Sequence, residues 1–541
     1  MPGRRMTTVR KYGLALLAGM TLALAAPPVD LLPAVWVAMA GLAWMLEDGA
    51  RASAPRSRGR AALTGALRGA AFGFGANVVL LRFVPVVITR FTPLPWLAGA
   101  AGLVLLAGFE GLRWSLACAA SETLVRARVP RPLAFAAGVY AGTFLPTMMP
   151  WTAAGAVSPW PLMVQLADVF GERGVAALMA LTAGLAASGS RSALVAGNRA
   201  RGAALIVGAL ALASAQAGVG IARMASIERS RTRAPHVSVG LLQPSIGATT
   251  RWEDGRAPAI REELLTLTRR AEAEGAELVV WPEAAYPYTL PHGSRVILDA
   301  SRAVVPAGVH GPVLTGLLLT GADGAATNSA LVATRDGALS TSYDKRHLLW
   351  FGETVPLADR LPWIRKVLAR GLGLVAGDHS EGLDAGRVRA AVLICYEDTL
   401  PEAGREAMEA APNLLVNVTN DAWFQGTPES ELHLRAAVMR AVELRRDLVR
   451  AVNLGPTSLV DAAGRVEARG AVDVPAALVT RPALLGGAPT LYARFGDGPW
   501  VLVLLALTGV QAWRAAVARR KEGGARTGCP RAGAERRRAD Y

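Results

Sequence analysis

The sequence of 541 residues is poor in charged, aromatic and cysteine side chains. Charged residues make up 18% of the chain, whereas soluble globular proteins carry about 25%. With 52% of its residues hydrophobic, the chain is not disordered, and a purely soluble protein is disfavoured. Its three cysteines are Cys118, Cys395 and Cys529, and they lie far apart. They are too few for a disulfide framework or a cysteine-rich zinc site.

Acidic residues are also scarce relative to basic ones. The chain has 58 Lys and Arg against 42 Asp and Glu, a formal net charge of +16. Such an excess is typical of nucleic-acid-binding proteins, and also of membrane proteins with basic cytoplasmic loops. The positions of the charges decide between these two classes.

What the sequence has in abundance is long apolar runs, which alternate with short charged or Gly/Pro-rich breaks up to about residue 225. A membrane-spanning helix needs about 20 predominantly apolar residues. We therefore predict a bundle of about eight transmembrane helices, over 12–28, 31–47, 61–83, 94–117, 132–149, 162–188, 203–222 and 498–515.

Basic residues occupy every second break between these helices. They are Arg4, Arg5, Arg10, Lys11, Arg51, Arg56, Arg58, Arg60, Arg126, Arg128, Arg131, Arg191, Arg199, Arg201, Arg519, Arg520 and Lys521, followed by the run 536–538. The loop over 146–161, by contrast, has no charge. This alternation predicts that both termini are cytoplasmic and that residues 223–497 lie outside the cytoplasm. Nucleic acid is not an expected partner.

Two features of the membrane part have alternative explanations. The first 28 residues resemble a signal peptide with an Ala23-Leu24-Ala25 site, and cleavage there would leave seven helices. Arg68, Arg82, Glu110 and Arg113 fall inside predicted helices. Intramembrane charges can mark a functional site, but charged side chains near helix ends also snorkel toward the headgroups, which we favour here.

The pattern changes between about residues 235 and 480. Short runs rich in β-branched residues predict buried strands over Val237–Leu242, Glu277–Trp281, Val313–Leu319, Val388–Ile394, Asn413–Val418 and Leu448–Val452. Helical spacing of apolar residues appears over Arg261–Glu274 and Glu431–Leu444. Alternating strands and helices predict an α/β domain.

Three reactive side chains stand where predicted strands end. Glu283 follows the second strand, Cys395 follows the fourth, and Lys345 lies in a polar stretch between them. A thiol needs a base to become a thiolate, and an ammonium can stabilise an oxyanion. Taken singly, each has an ordinary explanation: a buried small side chain, a loop carboxylate and a surface charge. The residues alone indicate a possible cysteine enzyme outside the cytoplasm.

A resemblance connects the three positions. Val280-Trp281-Pro282-Glu283, Tyr343-Asp344-Lys345-Arg346-His347-Leu348 and Cys395-Tyr396-Glu397 resemble the catalytic segments of the nitrilase, or carbon–nitrogen hydrolase, superfamily. Together with the apolar helices, with Phe351-Gly352-Glu353 and with the segment 420–424, the chain over about 10–515 resembles the bacterial apolipoprotein N-acyltransferase family.

The resemblance implies an αββα sandwich domain on a membrane base of eight helices. It implies acyl transfer from a phospholipid, typically phosphatidylethanolamine, to the N-terminal amine of a diacylated apolipoprotein. The implied catalytic residues are Glu283 as general base, Lys345 as oxyanion stabiliser and Cys395 as nucleophile. Glu353 would hold Lys345 or assist Glu283, and Tyr396 and Glu397 would shape the nucleophile turn. For binding the substrate we add three tryptophans, Trp252, Trp350 and Trp423.

A thioester intermediate must be shielded from water, so we expect apolar loops at the lipid surface. The segment 357–374 interleaves apolar and cationic residues, as in a headgroup-level segment or an ordinary amphipathic helix packed on the domain. The expected organisation is a helical membrane part over 1–225, a catalytic domain over 235–482, a last helix over 497–515 and a basic cytoplasmic tail over 516–541.

The expected location is the bacterial inner membrane, with the catalytic domain in the periplasm. We expect a monomer without cofactor or metal. One alternative is a membrane-anchored amidase of the nitrilase type that hydrolyses a small amide. Another is a domain that only binds its ligand. The number of apolar helices favours a lipid substrate over the first, and the intact Glu283, Lys345 and Cys395 argue against the second.

Overall fold

The computed structural model describes residues 8–48, 58–250, 253–354, 373–379 and 381–527. Helices dominate the first part of the chain. In chain order they are α1 (Thr8–Ala23), α2 (Ala34–Asp48), α3 (Arg58–Leu80), α4 (Val84–Phe91), α5 (Trp96–Arg126), α6 (Arg131–Gly142), α7 (Ala153–Ala156), α8 (Ala167–Leu194), α9 (Arg199–Arg233), α10 (Ala257–Ala273), α11 (Pro401–Ala407), α12 (Glu429–Leu444), α13 (Leu491–Phe495) and α14 (Gly498–Thr527).

Each of the eight predicted membrane segments overlaps a helix. Within the described ranges, four helices are long and apolar enough to cross a membrane, namely α3 from Gly59, α5, α8 and α9. Shorter apolar helices cover Ala34–Glu47 and Gly498–Gln511. The chain is therefore a membrane protein by helix length and composition, whereas a count of about eight spans stays a prediction.

The charged residues inside these helices are mostly bonded within the protein. Arg68 is 4% exposed and donates to the Met45 carbonyl at 2.6 Å. Glu110 is 1% exposed and accepts the Met148 and Met149 N–H groups at 2.7 and 3.0 Å. Headgroup snorkelling is therefore wrong for Arg68 and Glu110, because each satisfies its charge with backbone groups of a neighbouring segment.

The strands form two sheets. They are β1 (Val239–Gln243), β2 (Leu278–Val280), β3 (Leu290–Pro291), β4 (Val313–Thr320), β5 (Ala326–Ala333), β6 (Tyr343–Asp344), β7 (Leu383–Ala385), β8 (Val388–Ile394), β9 (Leu414–Asn420), β10 (Leu448–Asn453), β11 (Ser458–Val460), β12 (Val466–Arg469) and β13 (Ala476–Thr480). The first sheet has the order β13-β1-β2-β4-β5-β6, with β3 paired to β4. The second sheet has the order β12-β11-β10-β9-β8-β7. All six predicted strands are present.

The two sheets pack face to face. Successive side chains along a strand point alternately into the core between the sheets and into the core between a sheet and its helices. In β8, Ala390, Val392 and Ile394 join side chains of the first sheet in one core, while Ala391 and Leu393 join α11 and α12 in another. The outer face of the first sheet packs on α10 in the same way. The result is a four-layer αββα domain.

Helix α12 joins this domain to the membrane helices. Its Met439 and Val442 belong to the apolar core of the membrane part, while Leu434 and Ala437 pack on the second sheet. Fully buried Arg440 lies 2.8 Å from Glu172 of α8 and 2.8 Å from Glu443. The second sheet is thus held against the membrane helices by apolar packing and by a buried ion-pair network.

Replacing Arg440 by alanine should strongly destabilise the protein, because it leaves the carboxylates of Glu172 and Glu443 buried without their cation. We expect a loss of about 3–5 kcal/mol in the free energy of unfolding. Thermal unfolding of the detergent-purified protein measures it. The matched control is Arg269→Ala, since Arg269 pairs with Glu262 at 2.9 Å on the surface, where an ion pair contributes less than about 1 kcal/mol. Equal melting temperatures for the two variants would contradict the prediction.

Candidate functional site

Cys395 stands at a sharp turn at the carboxyl end of β8. It begins the short helical turn Cys395–Thr399 and has a φ of 51°, in the left-handed region that residues other than glycine seldom adopt. Strand β8 lies between β9, with which it pairs in parallel, and the edge strand β7. A strained turn of this kind pushes the side chain out of the strand and into the space above the sheet edge.

Glu397 holds this turn to the segment that carries Lys345. Its carboxylate accepts the N–H groups of Ile394, Arg346 and His347 at 2.8, 2.8 and 3.1 Å. It also accepts the Tyr343 hydroxyl at 2.9 Å. Glu397 is fully buried and has no described contact with the thiol, so its place in the structure is that of a brace for the turn.

Glu283 and Lys345 lie next to Cys395, although the three residues are far apart in sequence. The charges of Glu283 and Lys345 both act on the pKa of the Cys395 thiol, so the three side chains are neighbours. The Lys345 ammonium lies 3.6 Å from Glu283 Oε1 and 2.8 Å from both oxygens of Glu353. Lys345 is 1% exposed and Glu283 9%. The structure therefore brings together the carboxylate, the ammonium and the thiol that the sequence singled out.

Asn328 is a member of this site that the sequence analysis missed. Its side-chain amide donates to Glu283 Oε1 at 2.7 Å and to Glu353 Oε1 at 3.0 Å. It lies in β5, a strand that the apolar pattern did not predict. A polar side chain inside the sequence Ala-Thr-Asn-Ser-Ala gives no signal of its own, since only strand pairing brings it to the two carboxylates.

Burial and neighbouring charges shift the acid–base behaviour of the site. Burial raises the pKa of Glu283 above its ordinary value, and the Lys345 charge opposes this only in part. Burial disfavours the Lys345 ammonium, but Glu353 and Glu283 together raise its pKa, so it stays charged. Burial also raises the pKa of the Cys395 thiol, as does Glu283, while Lys345 lowers it. The resting thiol is neutral and needs a base.

The other predicted site residues differ in their surroundings. Burial raises the pKa of Tyr396, beside the thiol, and the charges of Glu110 and Arg113 in α5 also act on it, so the turn lies close to the membrane base. The Trp423 ring packs edge-on against Phe91 of α4, with centroids 4.5 Å apart. Trp350 is 42% exposed. Trp252 and residues 357–372 lie outside the described residues.

One cluster within the described ranges has the side chains of a metal site. Oxygen and nitrogen atoms of Asp421, Glu429 and His433 lie within 4.8 Å of one another. However, both ring nitrogens of His433 are already engaged, by Asp398 at 2.8 Å and Asp421 at 3.1 Å. A cation bound by His433 Nδ1 would have to displace its contact with Asp421, whereas the Asp398 contact on the other ring nitrogen is the usual partner of a ligating histidine.

These features define a class of protein: a membrane-embedded chain with a carbon–nitrogen hydrolase domain. The family model described as apolipoprotein N-acyltransferase N-terminal domain matches residues 18–185, and the carbon-nitrogen hydrolase model matches residues 238–471. An apolipoprotein N-acyltransferase of Geobacter metallireducens is 31% identical over 90% of this chain and 92% of its own. One of Brucella melitensis is 33% identical over 85% and 87%.

Among solved structures, Saccharomyces cerevisiae Nit3, a member of branch 10 of the nitrilase superfamily, matches 46% of this chain and 90% of its own with 17% identity and a TM-score of 0.36. The sequence relatives extend over the membrane helices as well as the hydrolase domain. The chain belongs to the apolipoprotein N-acyltransferase family.

Replacing Lys345 by methionine should make the Cys395 thiol less reactive. The ammonium lowers the pKa of the thiol, so its removal raises that pKa and leaves less thiolate at any given pH. We expect alkylation by iodoacetamide, followed by mass spectrometry of the Cys395 peptide, to slow and to move to higher pH. Arg346→Met is the matched control, since Arg346 pairs with Glu406 at 3.1 Å. An unchanged alkylation profile in Lys345→Met would contradict the assignment.

Proposed function

We propose that this protein transfers an acyl chain from a membrane phospholipid, such as phosphatidylethanolamine, to the N-terminal amine of an S-diacylglyceryl-cysteine in an apolipoprotein. The relatives' name supports N-acylation of apolipoproteins. The observation that carries the chemistry is the grouping of Glu283 and Lys345, 3.6 Å apart, next to the Cys395 thiol, whose pKa both of their charges affect. Cys395, Glu283 and Lys345 form the proposed catalytic triad.

In the first half of the reaction, Glu283 takes the proton of Cys395. The sulfur attacks the ester carbonyl of the phospholipid, and the Lys345 ammonium stabilises the oxyanion that forms. Collapse of this intermediate breaks the carbon–oxygen bond. Glu283 then protonates the departing lysophospholipid alkoxide oxygen to give the free alcohol, and the acyl group remains on Cys395 as a thioester.

In the second half, Glu283 removes a proton from the N-terminal ammonium of the lipoprotein. The free amine attacks the thioester carbonyl, the carbon–sulfur bond breaks, and an amide forms. Glu283 releases this first proton to solvent, takes the second proton from the attacking nitrogen in the tetrahedral intermediate and passes it to the leaving Cys395 thiolate, so the enzyme ends the cycle as it began. Glu353 and Asn328 hold Lys345 and Glu283 in place through both halves, by the bonds described above.

The position of the site explains how hydrolysis of the thioester is avoided. Cys395 follows a strand whose sheet packs on α12, and α12 packs on the membrane helices. Trp423 contacts Phe91, and Phe424 contacts Phe83, both in the segment after α3. Aromatic side chains therefore lie between the domain and the membrane helices. A site next to the bilayer admits lipid chains and restricts water.

The same proposal sets the location. Basic residues in alternate loops orient the chain with both termini in the cytoplasm. The αββα domain then lies on the outer face of the bacterial inner membrane, in the periplasm, where diacylated lipoproteins and phospholipids meet the site. We propose a monomer without a cofactor, in keeping with a base, nucleophile and cation that all come from one chain.

Incubating the purified protein with labelled phospholipid should place the acyl group on Cys395. Cys395→Ala should remove all label, and Glu283→Gln and Lys345→Ala should each abolish thioester formation, since the first removes the base and the second the oxyanion partner. Intact-mass and peptide mass spectrometry locate the acyl group. Cys118→Ala is the matched control, because Cys118 is buried among the membrane helices.

Two outcomes would overturn this function. A protein that hydrolyses a small amide but never carries an acyl group would be the amidase of the nitrilase type. Full lipoprotein acylation by Cys395→Ala would show that the domain only binds. In either case the thiol would not be the acyl carrier that we propose.

The rate of thioester formation should fall as the pH is lowered, because Glu283 must be ionised to accept the proton. Burial raises its pKa, so the midpoint lies above the value of 4.5 of an ordinary glutamate. Asn328→Ala removes a hydrogen bond that lowers the pKa of Glu283. In this variant the fall in the rate of thioester formation should therefore begin at higher pH, and the reaction at neutral pH should be about tenfold slower. Single-turnover rates across pH measure both. An unchanged pH midpoint in the Asn328→Ala variant would contradict the role of Asn328.

A further inference from the structure

Behind the Cys395 turn lies a cluster of five buried charged side chains that the proposed mechanism does not use. Asp398, Asp421 and Arg450 are 0% exposed, His433 is 4% and Glu429 is 6%. They come from four elements: the turn Cys395–Thr399, the turn that follows β9, strand β10 and helix α12, which supplies both His433 and Glu429. We name these five residues the buried charge cluster.

The contacts within the cluster determine the charge of His433. Its Nε2 lies 2.8 Å from Asp398 Oδ1, and its Nδ1 lies 3.1 Å from Asp421 Oδ1. Because carboxylate oxygens accept hydrogen bonds, both ring nitrogens must donate, and the ring is an imidazolium. Arg450 Nε lies 3.2 Å from the other oxygen of Asp398. Two cations therefore face two carboxylates.

Glu429 completes the balance. Burial raises its pKa to about 8, the charge of Asp421 adds to this, and the charges of His433 and Arg450 oppose it. At neutral pH most of its carboxyl groups therefore hold a proton. The cluster then contains two positive and two negative charges and one neutral carboxyl group. Such balance matters here, because a buried charge without a partner is strongly destabilising.

The cluster is connected to the nucleophile at two points. Asp398 is part of the same short turn as Cys395. Arg450 Nε also donates to Asn417 Oδ1 at 3.2 Å, and the Asn417 amide donates to the carbonyls of Leu393 and Cys395 at 3.0 and 3.3 Å. In addition, the charge of Asp421 acts on the thiol itself. The backbone on both sides of Cys395 is thus bonded to this cluster.

We propose that the buried charge cluster positions the Cys395 turn for acylation, with His433 as the central imidazolium between Asp398 and Asp421. This inference rests on the proposed function, since it concerns the same thiol. His433 touches neither substrate nor thiol, so it is a positioning residue. Its charge pairs with Asp398 of the Cys395 turn and with Asp421 of the turn after β9, and so ties the strained backbone of Cys395 to the neighbouring strand end.

The rival explanation is a divalent cation held by Asp421, Glu429 and His433. It requires a deprotonated His433 nitrogen and an ionised Glu429. The contacts of the ring with two carboxylates, and the second cation supplied by Arg450, favour the metal-free balance. The two explanations differ in the metal content of the purified protein and in the response to a charge-neutralising pair of substitutions.

The test compares His433→Gln with the double variant Asp421→Asn, His433→Gln. The single change removes one positive charge and leaves the cluster with net charge −1, whereas the double change restores neutrality. We expect His433→Gln to reduce kcat for thioester formation by about ten- to a hundredfold, the scale on which misplaced reacting groups lose rate, with little change in the phospholipid KM. The double variant should recover at least about tenfold of this loss, or 1.4 kcal/mol in the barrier.

His310→Gln is the matched control, because His310 lies on the domain surface with its side chain 68% exposed. Native kcat in His433→Gln would overturn the proposal, as would a double variant no faster than the single one. One equivalent of a divalent metal in the full-length protein, measured by mass spectrometry of the elements, would also overturn it and favour the rival.

The proposal can still be tested if a variant fails to fold. If His433→Gln does not fold and the double variant does, charge balance is supported. If neither folds, the milder Asp421→Asn decides: removing a negative charge near the thiol should move Cys395 alkylation to lower pH, and an unmoved profile would overturn the proposal. Alkylation needs no acyl transfer, so a native protein that never carries an acyl group would count against the proposed function and not against this inference.

Discussion

The buried ammonium of Lys345, placed between two carboxylates, is the interaction on which the site depends. Without Glu353, an uncompensated lysine would not stay charged at 1% exposure. With Glu353 at 2.8 Å it remains a cation, and it can then act on Glu283 and on the thiol. The site thus separates two tasks. Glu353 supplies the counter-charge to Lys345, while Glu283 keeps a raised pKa, which suits the proton transfers that we propose for it.

A second constraint comes from the contact between the domain and the membrane base. Helix α12 is buried along its whole length, with the second sheet on one side and membrane helices on the other. Arg440 on this helix pairs with Glu172 of α8, and Arg445 just after it pairs with Asp168, also of α8. Because the buried charge cluster includes His433 of the same helix, the nucleophile turn, the sheet and the membrane helices form one packed unit.

Much of the architecture could be predicted from local patterns. Long apolar runs indicated the membrane helices, and runs of β-branched residues predicted the six central strands, since buried parallel strands have apolar residues on both faces. Most strands that escaped prediction are short or lie at the sheet edges, such as β12, where exposed polar residues remove the pattern. The exception is β5, which has eight residues and pairs with β4 and β6 inside its sheet. Snorkelling was wrong for Arg68 and Glu110 because hydropathy does not reveal which carbonyl or N–H group faces a buried charge.

The sequence by itself determined the types of element and the three reactive residues, because apolar periodicity and short motifs are local properties of the chain. The tertiary structure alone decided that Asn328 bridges Glu283 and Glu353, and that His433 lies between Asp398 and Asp421. Residues from distant segments meet only when strands pair and helices dock. Their charge states follow from burial and from neighbours, and both of these exist only in the folded protein.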